Sequence, residues 1–398
     1  MKQCVILVGG KGTRLGKLTK NMPKPMIDVD GKPFLLFLLN MILRFGFEEV
    51  ILLASHANNV ITEYFKKSDN LNCKIKIIIE KNPLGTGGAI VNALEHLEDT
   101  FYCINGDSVI EGNWISLNPV LNNKFKAVIG LTEVNNPSRY GSINLDGDKI
   151  IQFNEKNVNS ASKLINGGIY LLKKEIFKDY DKSVISLEKD IFPKLIKNRE
   201  LGGKKINGYF IDIGTLNSLD EARKKVWSKG KKAFIFDRDG TLNIDYGYTH
   251  KAKDLLWING AKDLIKHLND LNHFVFVATN QAGIAKGRYT ENDMHSFHDA
   301  MQKSLFKIGA HIDKFYHCPY HADGVIKKYK LDSHDRKPNV GMLDKIMNEW
   351  NLSKEAMILI GDRSSDIQCA ENFNIKGFQY NTNDNLYDFY MERVHNEY

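Results

Sequence analysis

The sequence lacks the features that mark secreted and membrane-spanning chains. Its longest mostly apolar run, Phe34–Leu43, is too short to cross a bilayer. A strand-like start that runs directly into glycines predicts no signal peptide. The cysteines show no paired spacing, which favours free thiols in a reducing compartment. They are Cys4, Cys73, Cys103, Cys318 and Cys369. We therefore expect a cytoplasmic protein with no membrane partner.

The composition also excludes collagen, coiled coil and disorder. The 398 residues are 42% hydrophobic and 26% charged, with only 9 prolines, which is ordinary for folded domains. The length suggests two or three compact units. Residues 1–230 carry 33 Lys and Arg against 25 Asp and Glu, whereas residues 231–398 carry 22 against 23. A mildly basic first half suits an anionic small substrate. The sequence shows no basic stripe with interleaved aromatics, so we expect no nucleic-acid partner.

The first half alternates short β-rich runs with helical patterns, which predicts a parallel, doubly wound sheet. The predicted strands and helices there are Cys4–Val8, Phe34–Phe45, Val50–Ala54, Val60–Lys67, Ile75–Glu80, Ala89–Leu97 and Phe101–Asn105. Strand patterns then predict a mixed-sheet extension that lies over the first sheet: Ala127–Thr132, Gly141–Leu145, Lys149–Phe153 and Ile165–Leu172. A helix (Leu187–Lys197), a strand (Tyr209–Ile213) and a second helix (Leu216–Trp227) complete the unit.

A second βαβ series begins at Ala233. Its predicted strands and helices are Phe234–Asp237, Ala261–Leu268, Phe274–Thr279, Glu291–Ile308, Lys314–His317, Val340–Trp350, Met357–Gly361 and Asp366–Asn372. The fold class is therefore α/β, with two tandem Rossmann-like domains: residues 1–227 with a mixed sheet and residues 233–398 with a parallel sheet. The polar segment 228–232 is the predicted linker.

A glycine-rich segment, Gly9–Leu15 (GGKGTRL), directly follows the first predicted strand. Its glycines permit close backbone approach, and successive amides can cradle phosphate oxygens. Prolines on both sides of Lys24 fix the backbone around one lysine, which suits a phosphate clamp.

These motifs resemble the signature of the sugar-1-phosphate nucleotidyltransferases, over roughly residues 1–225. Later motifs agree in order: Glu80, Pro83–Gly88, Asn105–Asp107, Phe153–Lys156, Asn166–Gly168 and Phe210–Asp212. The resemblance implies that a sugar phosphate joins a nucleoside triphosphate with release of pyrophosphate, and the segment Leu84–Gly88 resembles the guanylyltransferases most.

The resemblance also implies roles for single residues. Asp107 and Asp212 would bind Mg²⁺, a hard ion that prefers oxygen ligands. Arg14 and Lys24 would hold the triphosphate and act in catalysis. The predicted substrate-binding residues are Gly9, Gly10, Gly12, Thr13, Glu80, Gly85, Gly88, Glu155, Lys156 and Asn166. Among these, Gly9, Gly85 and Gly88 would leave space for base and ribose.

The second half places two carboxylates, Asp237 and Asp239, two residues apart after an apolar strand pattern. Paired carboxylates are costly without a cation. With Thr279, Asn280, Lys337 and the Gly361–Asp362 motif, this resembles the haloacid dehalogenase superfamily.

By that resemblance Asp237 attacks a phosphoryl group, and Asp239 protonates the leaving alcohol and later deprotonates water. Mg²⁺ would be held by Asp362, Asp237 and the Arg238 carbonyl. Thr279 and Lys337 would neutralise phosphoryl oxygens, and Asn280 would bind substrate.

Three further segments, Gly247–His250, Thr279–Gly287 and Cys318–His321, resemble the heptose 1,7-bisphosphate 7-phosphatases and, less well, the histidinol phosphatases. Arg336 is then the predicted ligand of the second phosphate. The relatives usually carry a Cys-x-Cys pair where this chain has Ser333–Asp335, so we predict no structural zinc.

The resulting hypothesis is a bifunctional enzyme of activated-heptose synthesis. It would use GTP or another nucleoside triphosphate, heptose bisphosphate and heptose 1-phosphate, with Mg²⁺ in both domains. One alternative keeps both chemistries on mannose or another sugar. Another makes the first domain a catalytically dead regulatory module, although Arg14, Lys24, Asp107 and Asp212 are present. The sequence is compatible with a homo-oligomer.

Overall fold

The computed structural model describes residues 3–10, 12–55, 58–66, 73–121, 124–137, 140, 142–154, 162–181, 183–224 and 231–397. They belong to two compact units, Met1–Val226 and Trp227–Tyr398. Within these described ranges, no helix combines the length and the apolar character needed to cross a membrane.

The first unit contains many short strands and a few helices. Its strands are β1 Gln3–Leu7, β2 Asp28–Val29, β3 Lys32–Pro33, β4 Glu49–Ala54, β5 Lys74–Ile79, β6 Thr100–Asn105, β7 Ser108–Glu111, β8 Ala127–Glu133, β9 Ser142–Asp146, β10 Lys149–Asn154, β11 Leu164–Lys173, β12 Leu201–Lys205 and β13 Tyr209–Asp212. Its helices are α1 Phe34–Arg44, α2 Asn58–Lys66, α3 Gly85–Ala93, α4 Phe192–Lys197 and α5 Leu216–Lys224.

The main sheet of this unit is mixed, as predicted, but the later strands continue the first sheet and do not lie over it, because β11 pairs directly with β6. Its strands follow the order β5, β4, β1, β6, β11, β8, β12, β10 and β9. The strands β5, β4, β1 and β6 run parallel, whereas β11 is antiparallel to both β6 and β8. A small antiparallel pair, β7 with β13, forms a separate ribbon. The finer description as Rossmann-like stays a prediction.

The parallel strands are apolar because they are covered on both faces. Val5, Ile51 and Cys103 from neighbouring strands are fully buried and pack in one core with Ile90 of α3 and Phe192 of α4. Burying one such aliphatic side chain stabilises the fold by about 1.5–3 kcal/mol. This core fixes the carboxyl ends of β1 and β6, where the glycine segment and Asp107 follow.

The second unit contains a parallel sheet flanked by helices. Its strands are β14 Ala233–Phe236, β15 Phe274–Asn280, β16 Lys314–Cys318, β17 Met357–Gly361 and β18 Lys376–Gln379. Its helices are α6 Ala261–Asp270, α7 Ala282–Ala285, α8 Glu291–Phe306, α9 Gly341–Trp350, α10 Ser364–Phe373 and α11 Leu386–Phe389. The strand order is β16, β15, β14, β17, β18, with every pair parallel.

Successive residues of β14 point to opposite faces, as strand geometry requires. Phe234 and Phe236 join one core with Leu264 of α6, while Ile235 joins another with Leu343 of α9. The predicted parallel sheet is confirmed. Because its strands are parallel, their carboxyl ends share one edge, and the residues that follow β14, β15 and β17 meet there.

Candidate functional sites

The predicted nucleophile lies at the shared carboxyl edge of the second sheet. Asp237 directly follows β14, Thr279 lies near the end of β15, and Asp362 directly follows β17. Since β14 is hydrogen-bonded to both β15 and β17, these side chains meet at one place. The topology thus brings Asp237, Thr279 and Asp362 to one edge of the sheet.

Lys337 lies between two buried carboxylates. Its Nζ is 2.8 Å from Oδ1 of Asp237 and 2.5 Å from Oδ1 of Asp366, and all three side chains are at most 8% exposed. Burial raises the pKa of Asp237 to about 6, in spite of the adjacent lysine. Burial alone would lower the pKa of Lys337, yet the two carboxylates together raise it above its usual value. Lys337 therefore stays charged and can neutralise an incoming phosphoryl group.

Oxygen ligands suited to a hard divalent cation are grouped beside this lysine. In the described part of the chain, the only group of three or more potential ligands is Asp237, Asp362 and Asp366, with ligand atoms within 4.8 Å of one another. Burial raises the pKa of Asp362, and a bound cation would lower that pKa again. Thr241 donates to Asp362 at 3.1 Å. The donor set therefore fits Mg²⁺.

Gly240 makes room for this group. It has φ of 90°, and a Cβ there would lie 2.4 Å from Oδ2 of Asp362, so a side chain is excluded. Asp366 lies in the first turn of α10, where it accepts from the backbone N–H of Arg363 at 3.1 Å and contacts Lys337.

The carbonyl of Arg238, the predicted Mg²⁺ ligand, has other contacts, and its role as a ligand stays a prediction. The carbonyl oxygen already accepts backbone hydrogen bonds from Leu242 at 2.9 Å and Asn243 at 3.1 Å. A carbonyl has two lone pairs, and both are used. The side chain of Arg238 instead contacts Asp239.

Asn280 has a different contact from the predicted one. Its side chain donates to the carbonyl of Lys337 and accepts from the N–H of Lys337, both at 3.0 Å. Asn280 therefore positions Lys337, and its contact with substrate stays a prediction. Thr279, 1% exposed, accepts from Gln281 at 2.8 Å. Gln281 was missed because a lone glutamine in a turn carries no chemical signal.

Residues 319–330, which follow β16, are held by packing and hydrogen bonds. The N–H groups of Val325 and Ile326 donate to the carbonyl of Ala285 at 2.8 and 3.0 Å. Tyr329 donates to Glu291 at 2.8 Å and packs its ring near that of Tyr320.

The His, Asp and Cys side chains in and beside this segment have other contacts. His334 lies 3.2 Å from Asp344, and Asp335 lies 2.5 Å from Lys345. Cys318 is buried, and burial raises its thiol pKa, whereas zinc binds the thiolate. Arg336 is half-buried and donates weakly to the carbonyl of Tyr320 at 3.5 Å.

In the first unit the structure brings Lys24, Asp107 and Asp212 together. Lys24 begins a short 3₁₀ turn, is 7% exposed and has its Nζ 2.6 Å from Oδ2 of Asp107. Asp212 ends β13 opposite Ser108, the residue that follows Asp107, and the N–H of Ile213 donates to the carbonyl of Asp107 at 2.9 Å. Two carboxylates and one buried lysine therefore share the carboxyl edge of β6.

Asp212 is held by its own neighbours. Its two oxygens accept from the hydroxyl of Tyr140 and from the N–H of Gly214, each at 2.5 Å. Such charge-assisted bonds fix the direction of the carboxylate. Tyr140 was missed because it lies far from Asp212 in the sequence, between β8 and β9.

The glycine segment lies along a cleft of about 390 Å³. Gly9 and Gly10 line it, and a Cβ at Gly9 would lie 3.0 Å from Cβ of Ser55. Gly12 has φ of 59° and precedes the 3₁₀ turn Thr13–Thr19, so it is the residue that requires a left-handed backbone. Arg14 is exposed. The side chain of Thr13 lies outside the described residues.

The cleft is lined by residues from several segments of the chain. These are Leu7, Gly9, Gly10, Lys24, Pro25, Leu53, Ser55, Glu80, Pro83, Gly85, Thr86, Ala89, Asn105, Asp107 and Glu188. Glu80 accepts from the N–H of Leu84 at 2.9 Å, and burial raises its pKa. The cleft thus places the predicted Glu80 and the Lys24–Asp107 pair around one space.

Gly85 and Gly88 are required for a reason that sequence reasoning did not give. A Cβ at Gly85 would lie 2.5 Å from the carbonyl oxygen of Ile185, and one at Gly88 would lie 2.3 Å from that of Ser183. The chain itself therefore occupies the space that these glycines leave free. Gly85 still lines the cleft.

A polar network beside the cleft includes the predicted Asn166. It donates to the hydroxyl of Tyr170 at 2.9 Å, and Tyr170 donates to Glu188 at 3.4 Å. Glu188, which lines the cleft, also accepts from Thr86 at 3.1 Å. Sequence reasoning missed Tyr170 and Glu188. The predicted Glu155 and Lys156 lie outside the described residues.

Comparisons with known proteins assign a family to each half. Residues 3–229 match the family model described as Nucleotidyl transferase, and residues 334–386 match the one described as HAD-hydrolase-like. The solved structure of HddC from Yersinia pseudotuberculosis, complexed with GMP-PN, superposes with a TM-score of 0.51 at 35% identity. It covers 56% of this chain and 99% of that one.

Two relatives similar in sequence match different parts of the chain. A D-glycero-alpha-D-manno-heptose 1-phosphate guanylyltransferase of Campylobacter jejuni is 41% identical over 213 residues, 53% of this chain and 94% of that protein. A D-glycero-beta-D-manno-heptose-1,7-bisphosphate 7-phosphatase of Rhodopseudomonas palustris is 32% identical over 164 residues, 41% of this chain and 90% of that protein.

Proposed function

The chain belongs to the nucleotidyl transferase family and carries a HAD-like hydrolase domain in its second half, and we propose that it is a bifunctional enzyme that makes a nucleotide-activated heptose. The second domain removes the 7-phosphate from D-glycero-D-manno-heptose 1,7-bisphosphate. The first domain joins the remaining 1-phosphate to GMP from GTP and releases pyrophosphate.

The observation that carries this proposal is the presence of both sites on one chain. The product of a bisphosphate 7-phosphatase is a sugar 1-phosphate, which is the substrate type of a nucleotidyltransferase. The two relatives named above act on these two substrates, and guanine is supported by the guanylyltransferase name and by the GMP-PN complex of HddC. The assembled Lys24, Asp107 and Asp212 favour an active first domain over a regulatory one.

In the phosphatase reaction an oxygen of Asp237 attacks phosphorus, and the bond from phosphorus to the heptose oxygen breaks. Asp239 gives its proton to that departing oxygen. Water then attacks the aspartyl phosphate, Asp239 takes its proton, and the Asp237–phosphorus bond breaks to release phosphate. Lys337 neutralises the transferring group, and Mg²⁺ held by Asp237 and Asp362 would reduce the repulsion between the two anions.

In the nucleotidyl transfer an oxygen of the sugar phosphate attacks the α-phosphorus of GTP, and the bond to pyrophosphate breaks. Lys24 is the buried cation available to the triphosphate, with Arg14 more exposed. Asp107 and Asp212 would hold Mg²⁺, which would offset the charge that builds on phosphorus. Glu80 and Glu188 line the same cleft as Gly9, and their carboxylates would accept hydrogen bonds from base or sugar hydroxyls.

The anomer follows from the need to match the two reactions. The names of the relatives differ, alpha for the transferase and beta for the phosphatase. The phosphatase leaves the anomeric phosphate untouched, so both domains must accept the same anomer. We assign the α anomer for two reasons. The transferase relative has the higher sequence identity, and the transferase reaction forms its new bond at the anomeric phosphate.

The proposal is tested by incubating the full chain with Mg²⁺, GTP and either α- or β-heptose 1,7-bisphosphate, and following products by mass spectrometry. We expect phosphate to precede pyrophosphate and heptose 1-phosphate to precede GDP-heptose, with the α anomer alone going to completion. ATP, CTP and UTP, and mannose 1-phosphate, are the matched comparisons. A nucleotide sugar that keeps its 7-phosphate would contradict the order, and efficient use of mannose 1-phosphate would contradict the sugar.

A further inference from the structure

A fully buried arginine lies directly behind the predicted acid and base of the phosphatase. Arg238 is 0% exposed although it is charged. Its Nε and one terminal nitrogen lie 3.0 and 2.9 Å from Oδ1 of Asp239, and that same nitrogen lies 2.7 Å from Oδ2. Burying a guanidinium without hydrogen-bond partners would cost much free energy, so the groups that contact Arg238 are needed to keep it buried.

The guanidinium is itself fixed on its other sides. It donates to the carbonyl of Thr249 at 2.7 Å and to Nε2 of His298 at 3.2 Å, and it lies over the ring of Phe297 at 4.7 Å. His298 stacks on Phe315 with ring centroids 4.3 Å apart. Elements distant in sequence therefore hold one orientation of Arg238.

His298 can act only as an acceptor toward this arginine. Arginine has donors alone, so Nε2 must offer its lone pair and the ring must be neutral. Burial and the charge of Arg238 hold the pKa of His298 well below its usual range, in agreement with that tautomer.

Other donors complete the arrangement around Asp239. Asn243 donates to Oδ1 at 3.0 Å and Gln281 donates to Oδ2 at 2.9 Å. Gln281 is fixed in turn by Tyr289, whose hydroxyl donates to it at 2.6 Å. A carboxylate with donors on both oxygens can turn only by breaking several bonds together.

We propose that Arg238 is a positioning residue of the phosphatase reaction, which holds the carboxylate of Asp239 in one orientation and is held by His298. This inference rests on the proposed function, since it assumes that Asp239 moves a proton. Loss of this orientation should slow hydrolysis of the aspartyl phosphate most, because Asp239 must take a proton from the attacking water in that step.

The test replaces Arg238 by lysine, which keeps the charge but not the planar fork. With heptose bisphosphate we expect kcat to fall on the order of 10²-fold with little change in KM, because misplacing a catalytic group by about 1 Å has that effect. With p-nitrophenyl phosphate, whose leaving group needs little protonation, aspartyl phosphate should accumulate on Asp237 and be visible by mass spectrometry after acid quenching.

A second pair of variants keeps Arg238 and changes its support. His298→Leu removes the acceptor, and we expect kcat to fall about tenfold, the size typical of losing an outer orienting contact. His298→Gln retains an acceptor and should keep most of the wild-type kcat. Gln302→Met, on the same helix, is the control: it breaks contacts with Ile312 and should leave kcat unchanged.

Wild-type kcat in Arg238→Lys, or equal kcat in His298→Leu and His298→Gln, would overturn the inference. If Arg238→Lys does not fold, the His298 pair decides alone. Failure of the proposed function looks different, because the wild-type chain would then release no phosphate from either substrate.

Discussion

The two candidate sites differ in how their negative charges are balanced. In the second unit Lys337 joins two carboxylates, and the three side chains are at most 8% exposed. In the first unit Lys24 is also buried, but its partner Asp107 is 41% exposed at a cleft. The charged side chains of the phosphatase site are thus buried in the folded core. In the transferase site, the carboxylate of Asp107 is instead exposed to the cleft in which we expect the ligand to bind. Removing single residues should therefore have different consequences in the two units.

The largest effect is expected from Asp237→Asn. It removes the nucleophile of the second unit only, so phosphate release should fall on the order of 10⁴-fold or more while nucleotidyl transfer from supplied heptose 1-phosphate continues. Both rates are measured on one preparation, with Asp270→Asn, a half-exposed carboxylate paired with Lys266, as the control. Equal loss of both activities would contradict the model of two independent sites.

The converse variant is Asp107→Asn. It removes a predicted Mg²⁺ ligand and the partner of Lys24, so transfer should fall about 10³-fold, the equivalent of several kcal/mol of lost charge stabilisation. Phosphatase activity should not change, because Asp107 lies in the other unit. Asp146→Asn, in a surface pair with Lys149, is the control. Transfer at the wild-type rate would show that Asp107 binds no catalytic ion.

The third variant, Lys337→Met, tests the buried charge balance through stability. It leaves Asp237 and Asp366 buried without their cation, which should destabilise the second unit by about 3–5 kcal/mol. Faster hydrogen–deuterium exchange in β14 and β17, with unchanged exchange in β1 and β6, would be the signature. Lys345→Met, which breaks a half-exposed pair with Asp335, should change exchange very little. Equal exchange in both variants would show that the buried lysine is not required.

The comparison also explains what the sequence could predict. In the second unit each predicted group follows an apolar strand, and the parallel order of β14, β15 and β17 brings the groups together. In the first unit Asp107 and Asp212 meet only because β7 pairs with β13, and β7 carried no recognised pattern. Motifs at strand ends are therefore predictable, whereas partners such as Tyr140 and Glu188 depend on tertiary pairing.

Strand β12 shows the same limit for the fold. Its sequence, LGGKK, has weak β propensity and was not predicted as a strand. It lies inside the sheet between β8 and β10, where a Cβ at Gly203 would come within 2.9–3.0 Å of Ile150, Leu131 and Leu145. Glycine is needed there because side chains from neighbouring strands fill the space, and that information lies in the packing.

A smaller effect is expected from Arg336→Ala. If Arg336 binds the second phosphate, the wild-type phosphatase prefers bisphosphate to monophosphate, and the variant loses that preference by about tenfold or more, from a charge-assisted contact of about 1.5–3 kcal/mol. The measurement is kcat/KM for heptose 1,7-bisphosphate and heptose 7-phosphate. Arg393→Ala, which removes an exposed arginine of the same unit, is the matched control. An unchanged preference in Arg336→Ala would assign the second phosphate to another group.

The smallest effect is expected from zinc removal. A tetrahedral site needs about four good ligands, and here His334 is 68% exposed beside Asp344 while Asp335 contacts Lys345. The loop that contains Tyr329 is fixed by Glu291 and by the carbonyl of Ala285, contacts that need no metal. A zinc-selective chelator should therefore leave the melting temperature and phosphatase rate unchanged in the presence of Mg²⁺, and Cys318→Ser should retain activity. Stoichiometric zinc in the purified chain, lost together with activity in Cys318→Ser, would show that the loop keeps a metal despite its missing cysteine pair.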